Sequence, residues 1–128
     1  MRIGEVVAER FELQALAGAG GMGAVYRARD LRTGLVVALK SLRDPGGRHA
    51  ERFLREAQVL ATLNHPNIVR YVEHGRTASG ELYMAMEWIE GQSLSQRIAA
   101  TRGLTPLETL ELGSQLASAL AFAHARGI

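Results

Sequence analysis

Apolar and polar positions alternate in a strand-like way from Phe11 to Lys40: "FELQAL", a glycine cluster, "AVYRARD", a turn at "LRTG", then "LVVALK". Gly34 after Thr33 suits a hairpin connection, and the β-branched pair Val36 and Val37 suits a well-buried strand. The turn formers Pro45, Gly46 and Gly47 in "DPGGR" then break the chain. "HAERFLREAQVLATLNH" predicts a helix, because Phe53, Ala57 and Leu60 recur at helical spacing and Pro66 stops it. "NIVRYVEHG" and "ELYMAMEWI" read as two more strands joined by a loop around Ser79 and Gly80. From Gly91 on the pattern is helical. In "TPLETLELGSQLASALAFAHARG" Thr105 is the N-cap, Pro106 takes the first helical position, Glu108 completes a capping box, and Gly127 is expected to end the helix. The order predicts an α+β fold: a five-stranded sheet with one helix inserted after the third strand, then helices. A doubly wound fold would alternate strand and helix instead.

Composition narrows the class without naming an activity. The 128 residues, 47% hydrophobic and 22% charged, describe a modest globular domain. Its 15 Lys and Arg against 13 Asp and Glu are spread along the chain, so the net charge of +2 and the pI near 9.5 give no reason to expect a nucleic-acid partner. Absence of cysteine excludes disulfides, thiolate-bound zinc and thiol catalysis. His49, His65, His74 and His124 have no metal-ligand spacing, and no metal site is expected. No apolar run is long enough to span a bilayer, and "MRIGEVVAER" has no apolar signal core, so a cytoplasmic protein without a membrane segment is expected.

Glycines 18, 20, 21 and 23 in "LAGAGGMGAV" admit several phosphate-binding loops. A Walker loop needs Lys and then Ser or Thr after its last glycine, where Ala24 and Val25 stand. A dinucleotide fingerprint also spells G-x-G-x-x-G, but it requires a helix after the glycines. Asp44 lies at a suitable distance for its ribose contact, yet in a Pro-Gly turn. A glycine-rich hairpin folding over phosphates needs a strand on both sides, as the pattern provides. The loop alone does not distinguish that lid from a hairpin without a ligand.

Two further residues weigh on the choice. Lys40 ends an apolar strand and shares a face with Ala38. Glu56 follows Phe53 by three residues and precedes Leu60 by four, so it sits on or beside the apolar stripe of its helix. Each has an ordinary reading, a snorkelling lysine and a helix-edge carboxylate. Their order after a glycine hairpin makes coincidence a poor explanation.

Gly18-Ala19-Gly20-Gly21-Met22-Gly23-Ala24-Val25, then Val37-Ala38-Leu39-Lys40, then Glu56 follow the protein-kinase signatures. With "GGMGAVYRARD", "LNHPNIVRYVEHG" and "MEWIEGQSL", the chain from Phe11 on resembles the N-terminal part of bacterial eukaryotic-like serine/threonine kinases. The resemblance implies an antiparallel small lobe in residues 1–90 that binds ATP, and in residues 91–128 the hinge exit and first helices of an incomplete large lobe. It implies that Gly18, Gly20 and Gly23 cover the ATP phosphates, and that Lys40 binds the α- and β-phosphates while held by Glu56. Val25 and Ala38 would sandwich the adenine, with Met86 at the back of the pocket. The backbone of Glu87 and Ile89 would bond the adenine edge. Leu60 and Tyr71 match positions that stack the small lobe on the catalytic core, a contact that is equally core packing.

Phosphoryl transfer also needs an aspartate to orient the attacking hydroxyl, and Asn and Asp ligands for Mg²⁺. Neither H-R-D nor D-F-G occurs in the 128 residues. The chain alone is therefore expected to be an inactive fragment whose parent transfers the ATP γ-phosphoryl group to protein Ser or Thr hydroxyls. The rivals are a non-catalytic nucleotide- or partner-binding module and, less favoured because a strand follows the glycines, a dinucleotide-dependent oxidoreductase. Leu107, Leu110, Leu116 and Leu120 on the last helix predict an exposed apolar patch and self-association.

Overall fold

The computed structural model describes residues 1–20, 23–42 and 47–128. Gly21 and Met22 of the glycine cluster, and Asp44, Pro45 and Gly46 of the expected turn, lie outside the described residues. Two compact units divide the chain: Met1–Leu63 with Val69–Trp88, and Asn64–Ile68 with Ile89–Ile128.

The first unit is built on a six-stranded antiparallel sheet in the order β1-β2-β3-β4-β6-β5. Its strands are β1 (Val6–Val7), β2 (Phe11–Gly20), β3 (Gly23–Asp30), β4 (Val36–Leu42), β5 (Tyr71–Arg76) and β6 (Leu82–Glu87). Helix α1 (Gly47–Thr62) lies between β4 and β5 in the chain. The period-two reading holds in β3, where Ala24, Tyr26 and Ala28 are buried and Val25 and Arg27 are not. One face of the sheet encloses Phe11, Leu13, Tyr26, Leu39 and Tyr83, with the Phe11 and Tyr83 rings edge to face at 6.0 Å. The other face packs on α1, whose Phe53 and Ala57 meet Leu42, Leu82 and Met84. Phe53 is 5% exposed, so its removal would cost about 3 kcal/mol or more.

The sheet has one strand more than the sequence predicts. Strand β1 is two residues long, and the turn joining it to β2 has Ala8 and Glu9 at φ of 51° and 55°. Hairpin turns with two left-handed central residues ordinarily carry Asn-Gly, so "VAER" gives no hairpin signal. The "LRTG" turn, in contrast, is as expected: Gly34 has φ of 75° and donates to the Asp30 carbonyl at 2.7 Å.

Arg10, just past the unusual turn, reaches across to two carboxylates. Its Nε and Nη2 donate to the two oxygens of Asp30 at 2.9 and 2.7 Å, and its Nη1 donates to Glu73 at 2.5 Å. The other Glu73 oxygen accepts from the Tyr83 hydroxyl at 2.9 Å. Hydrogen bonding to Arg10 holds the Asp30 carboxyl well below its ordinary range. Burial, reinforced by Glu73, pushes the Tyr83 phenol up to about 12.

The second unit holds α2 (Leu94–Thr101) and α3 (Pro106–His124). Both begin with reciprocal capping boxes, Ser93 with Gln96 and Thr105 with Glu108, of which the sequence predicts the second. Helix α3 stops at His124, short of Gly127, which has φ of 75° and donates to the His124 carbonyl. Residues 64–68 rest on α3: His65 Nε2 lies 3.0 Å from Ser118 Oγ, and Asn67 Nδ2 donates to the Gln115 carbonyl at 3.2 Å. No residue of α3 is buried. Among the described residues no helix is long and apolar enough to cross a membrane.

Candidate functional site

The glycine cluster forms facing ends of two strands. Gly18 pairs with Val25, Ala19 with Ala24 and Gly20 with Gly23, and the β2 register shifts between Leu13 and Ala15 and again between Leu16 and Gly18. A strand therefore follows the glycines, which removes the helix that a dinucleotide fingerprint requires. Glycine is obligatory at position 23, because a Cβ there would lie 1.9 Å from the Ser41 carbonyl oxygen. At Gly18 and Gly20 a Cβ would meet nothing within 4 Å. Their bare backbone borders open space.

Cross-strand pairing places several expected residues on one face of the sheet. Val25 is opposite Lys40, and Ala38 is opposite Met86. Two-residue alternation along β4 gives Ala38 and Lys40 the same side, the side on which α1 packs. There Lys40 Nζ donates to both Glu56 carboxylate oxygens, at 2.8 and 3.0 Å, and lies 5.8 Å from the centroid of the Phe53 ring. The stripe position of Glu56 thus faces the sheet, and the strand-end lysine meets it.

A cavity of about 460 Å³ opens at this pair. Gly18, Gly20, Gly23 and Val25 line it on the hairpin side, with Lys40 on β4 and Glu56 on α1. Ala38 lies further along β4, and Met86 and Glu87 lie on the neighbouring β6, all outside that lining. Ile89 belongs to the second unit and is exposed. Leu60 and Tyr71 are partly buried against the α1-side core, with the Tyr71 hydroxyl 2.6 Å from His74 Nδ1. Sequence reading missed Ser41, Leu42, His49 and Arg52, which also line the cavity. His49, Arg52, Phe53 and Glu56 follow helical i, i+3, i+4, i+7 spacing, a signal legible once Glu56 is known to face the site. Among the described residues no group of three or more acidic, histidine or cysteine side chains is arranged to hold a metal ion.

Similarity to known proteins points the same way as this geometry. The serine/threonine-protein kinase pkn3 of Myxococcus xanthus is 39% identical over 98% of this chain and 24% of its own length. PrkC of Bacillus subtilis, also named a serine/threonine-protein kinase, is 39% identical over 97% of this chain and 19% of its own. The crystal structure of the Mycobacterium tuberculosis PknI kinase domain superposes with a TM-score of 0.84 at 30% identity, covering all of this chain and 52% of that one. The chain thus spans about a quarter or less of the curated relatives and about half of the solved kinase domain. A family model described as "Protein kinase domain" matches residues 11–128. With a glycine hairpin, a strand-end lysine and its helix glutamate assembled around one cavity, the chain belongs to the protein kinase family.

Proposed function

We propose that the chain is the ATP-holding portion of a serine/threonine protein kinase, with residues 1–90 as the nucleotide-binding lobe and 91–128 as the first part of the large lobe. The observation that carries this reading is the Lys40–Glu56 pair opening onto a cavity walled by glycine backbone. A triphosphate fits such a wall: Gly18 and Gly20 leave open space against backbone N–H groups, and Lys40 supplies a fixed cation.

In this reading the hairpin backbone of Gly18, Gly20 and Gly23 covers the phosphates, while Glu56 fixes Lys40 where its ammonium meets the α- and β-phosphate oxygens. Val25 and Ala38 clasp the adenine, Met86 closes the back of its pocket, and the backbone of Glu87 and Ile89 bonds its edge. Bound ATP supplies the γ-phosphoryl group, and Mg²⁺ belongs to ligands of the complete domain. The parent acts on Ser or Thr hydroxyls of proteins, in the cytoplasm.

These residues hold and orient a nucleotide, but the 128 residues contain no H-R-D or D-F-G. Alone, the chain is accordingly inactive in phosphoryl transfer. A second reading of the same geometry is a kinase-like module that works by binding nucleotide or a partner without catalysis. Calorimetric titration of ATP against the chain and against Lys40→Ala tests the shared core of both readings. Measurable ATP binding, weakened by the substitution, is expected; equal affinity, or none in either protein, would remove Lys40 from its role. Radiolabel transfer to a general protein substrate separates kinase activity from binding, and none is expected from this chain.

A further inference from the structure

The sheet face that carries Val25, Ala38 and Lys40 also carries an arginine. Arg27 of β3 alternates with the buried Ala24, Tyr26 and Ala28, so it shares the side of Val25. Pairing sets it directly opposite Ala38, which is itself opposite Met86. Arg27, Ala38 and Met86 therefore form one row across three strands, two residues beyond the row that joins Val25 to Lys40. The nucleotide reading gives Ala38 and Met86 to the adenine, and Arg27 stands beside them.

Two contacts fix its guanidinium. Arg27 Nη1 donates to the Gln14 side-chain oxygen, and the guanidinium carbon lies 5.9 Å from the centroid of the Trp88 ring. Leu13 pairs with Ala28 and Ala15 with Arg27, so Gln14 is the extra residue of a β2 bulge, a device that re-aims a side chain. Trp88 directly follows Glu87, the last residue of β6. Strand β4 separates β3 from β6, which are therefore two strand spacings apart, about 10 Å. The arginine and the indole bridge that gap between them. Both are half-buried, so the contact between cation and ring is partly desolvated.

The geometry points to Arg27 as a positioning residue for the base end of the site: by clamping the Trp88 indole it holds the Glu87–Trp88 backbone in place, so that the edge of a purine meets fixed hydrogen-bonding groups. This inference rests on the nucleotide reading above. The glycines and Lys40 answer to the phosphates, whereas Arg27, through Trp88, answers to the base. Strands β2 and β3 and the chain leaving β6 are thereby tied through one guanidinium.

Calorimetric titrations of ATP and of inorganic tripolyphosphate, which has no base, test it on the wild-type chain, Arg27→Met and Arg27→Lys. Methionine keeps an apolar stem and removes the cation, whereas lysine keeps the cation. Arg27→Met should weaken ATP by about threefold to tenfold, the effect of one partly desolvated cation–π contact, and leave tripolyphosphate within about twofold. Arg27→Lys should retain most of the ATP affinity. Trp88 is the only tryptophan in the sequence, so its fluorescence reports the clamp directly. Its emission in the ligand-free chain should shift in Arg27→Met and less in Arg27→Lys, with the urea midpoint unmoved in both. An unchanged ATP affinity, an unchanged Trp88 emission, equal loss of ATP and tripolyphosphate, or a urea midpoint that falls with the affinity overturns the assignment and leaves the nucleotide reading intact. Failure of the wild type to bind ATP overturns both.

Discussion

Lys40 and Glu56 meet through both carboxylate oxygens, yet their side chains remain 36% and 48% exposed. A pair this wet contributes little to folding, under about 1 kcal/mol. Lys40→Ala and Glu56→Gln should therefore leave the denaturant midpoint nearly unmoved. ATP affinity should respond differently, falling about tenfold or more in Lys40→Ala and less in Glu56→Gln. Parallel urea melts and nucleotide titrations check the contrast; a large loss of stability would recast the pair as structural.

The Arg10–Asp30 pair lies at the opposite extreme, with side chains 13% and 2% exposed. Asp30→Asn leaves the buried Arg10 with Glu73 as its remaining carboxylate partner, so it should cost about 2 kcal/mol. The pair also sets a pH dependence. Asp30 binds its proton less readily in the folded chain than in the unfolded one, so its contribution is complete above about pH 4. It is lost progressively as pH falls below that value toward the depressed folded pKa. Chemical melts between pH 2.5 and 7 should show a wild-type decline that Asp30→Asn largely lacks.

Gly20 and Gly23 pair across the hairpin and should nevertheless tolerate a methyl group very differently. Gly23→Ala forces the β3 and β4 backbones apart, because its Cβ meets the Ser41 carbonyl, and should cost about 1–3 kcal/mol. Gly20→Ala meets open space and should shift stability by less than about 0.5 kcal/mol. Thermal melts of the two variants decide, and an equal response would contradict the close approach at position 23.

Leu107, Leu110, Leu116 and Leu120 are between 53% and 71% exposed on α3. We expect the chain to bind a hydrophobic dye and to self-associate as concentration rises. Leu110→Glu with Leu120→Glu should reduce both. Sedimentation velocity across a concentration series is the measurement, and a monomer throughout, with no dye uptake, would count against it.

Most of the sheet was legible because its strands carry local signals: alternation in β3, the β-branched start of β4, Gly34 in the turn between them. The N-terminus of α3 was legible for the same reason, its cap residues being adjacent in sequence. Strand β1 was not, since left-handed Ala8 and Glu9 stand where a hairpin ordinarily advertises itself with Asn-Gly. Arg10 was silent too. Its partners are 20 and 63 residues away, and only the folded sheet brings them together. The site divides likewise: glycines, lysine and glutamate are recognised by spacing, whereas His49 and Arg52 gain meaning only from the rotation of α1 that turns Glu56 inward.

Strand β2 is rooted in the core at one end and held along the rest by its pairing with β3. Phe11 and Leu13 are buried, whereas every residue from Gln14 to Gly20 is exposed. The strand behaves as a cantilever, clamped by the core at its base and carrying the glycines at its loaded end. Bending that arm toward the cavity costs no apolar packing of its own side chains, while Ala24 and Tyr26 of the paired β3 remain anchored in the core. The resistance of the arm to bending is then set by its backbone hydrogen bonds to β3 rather than by burial of its own side chains.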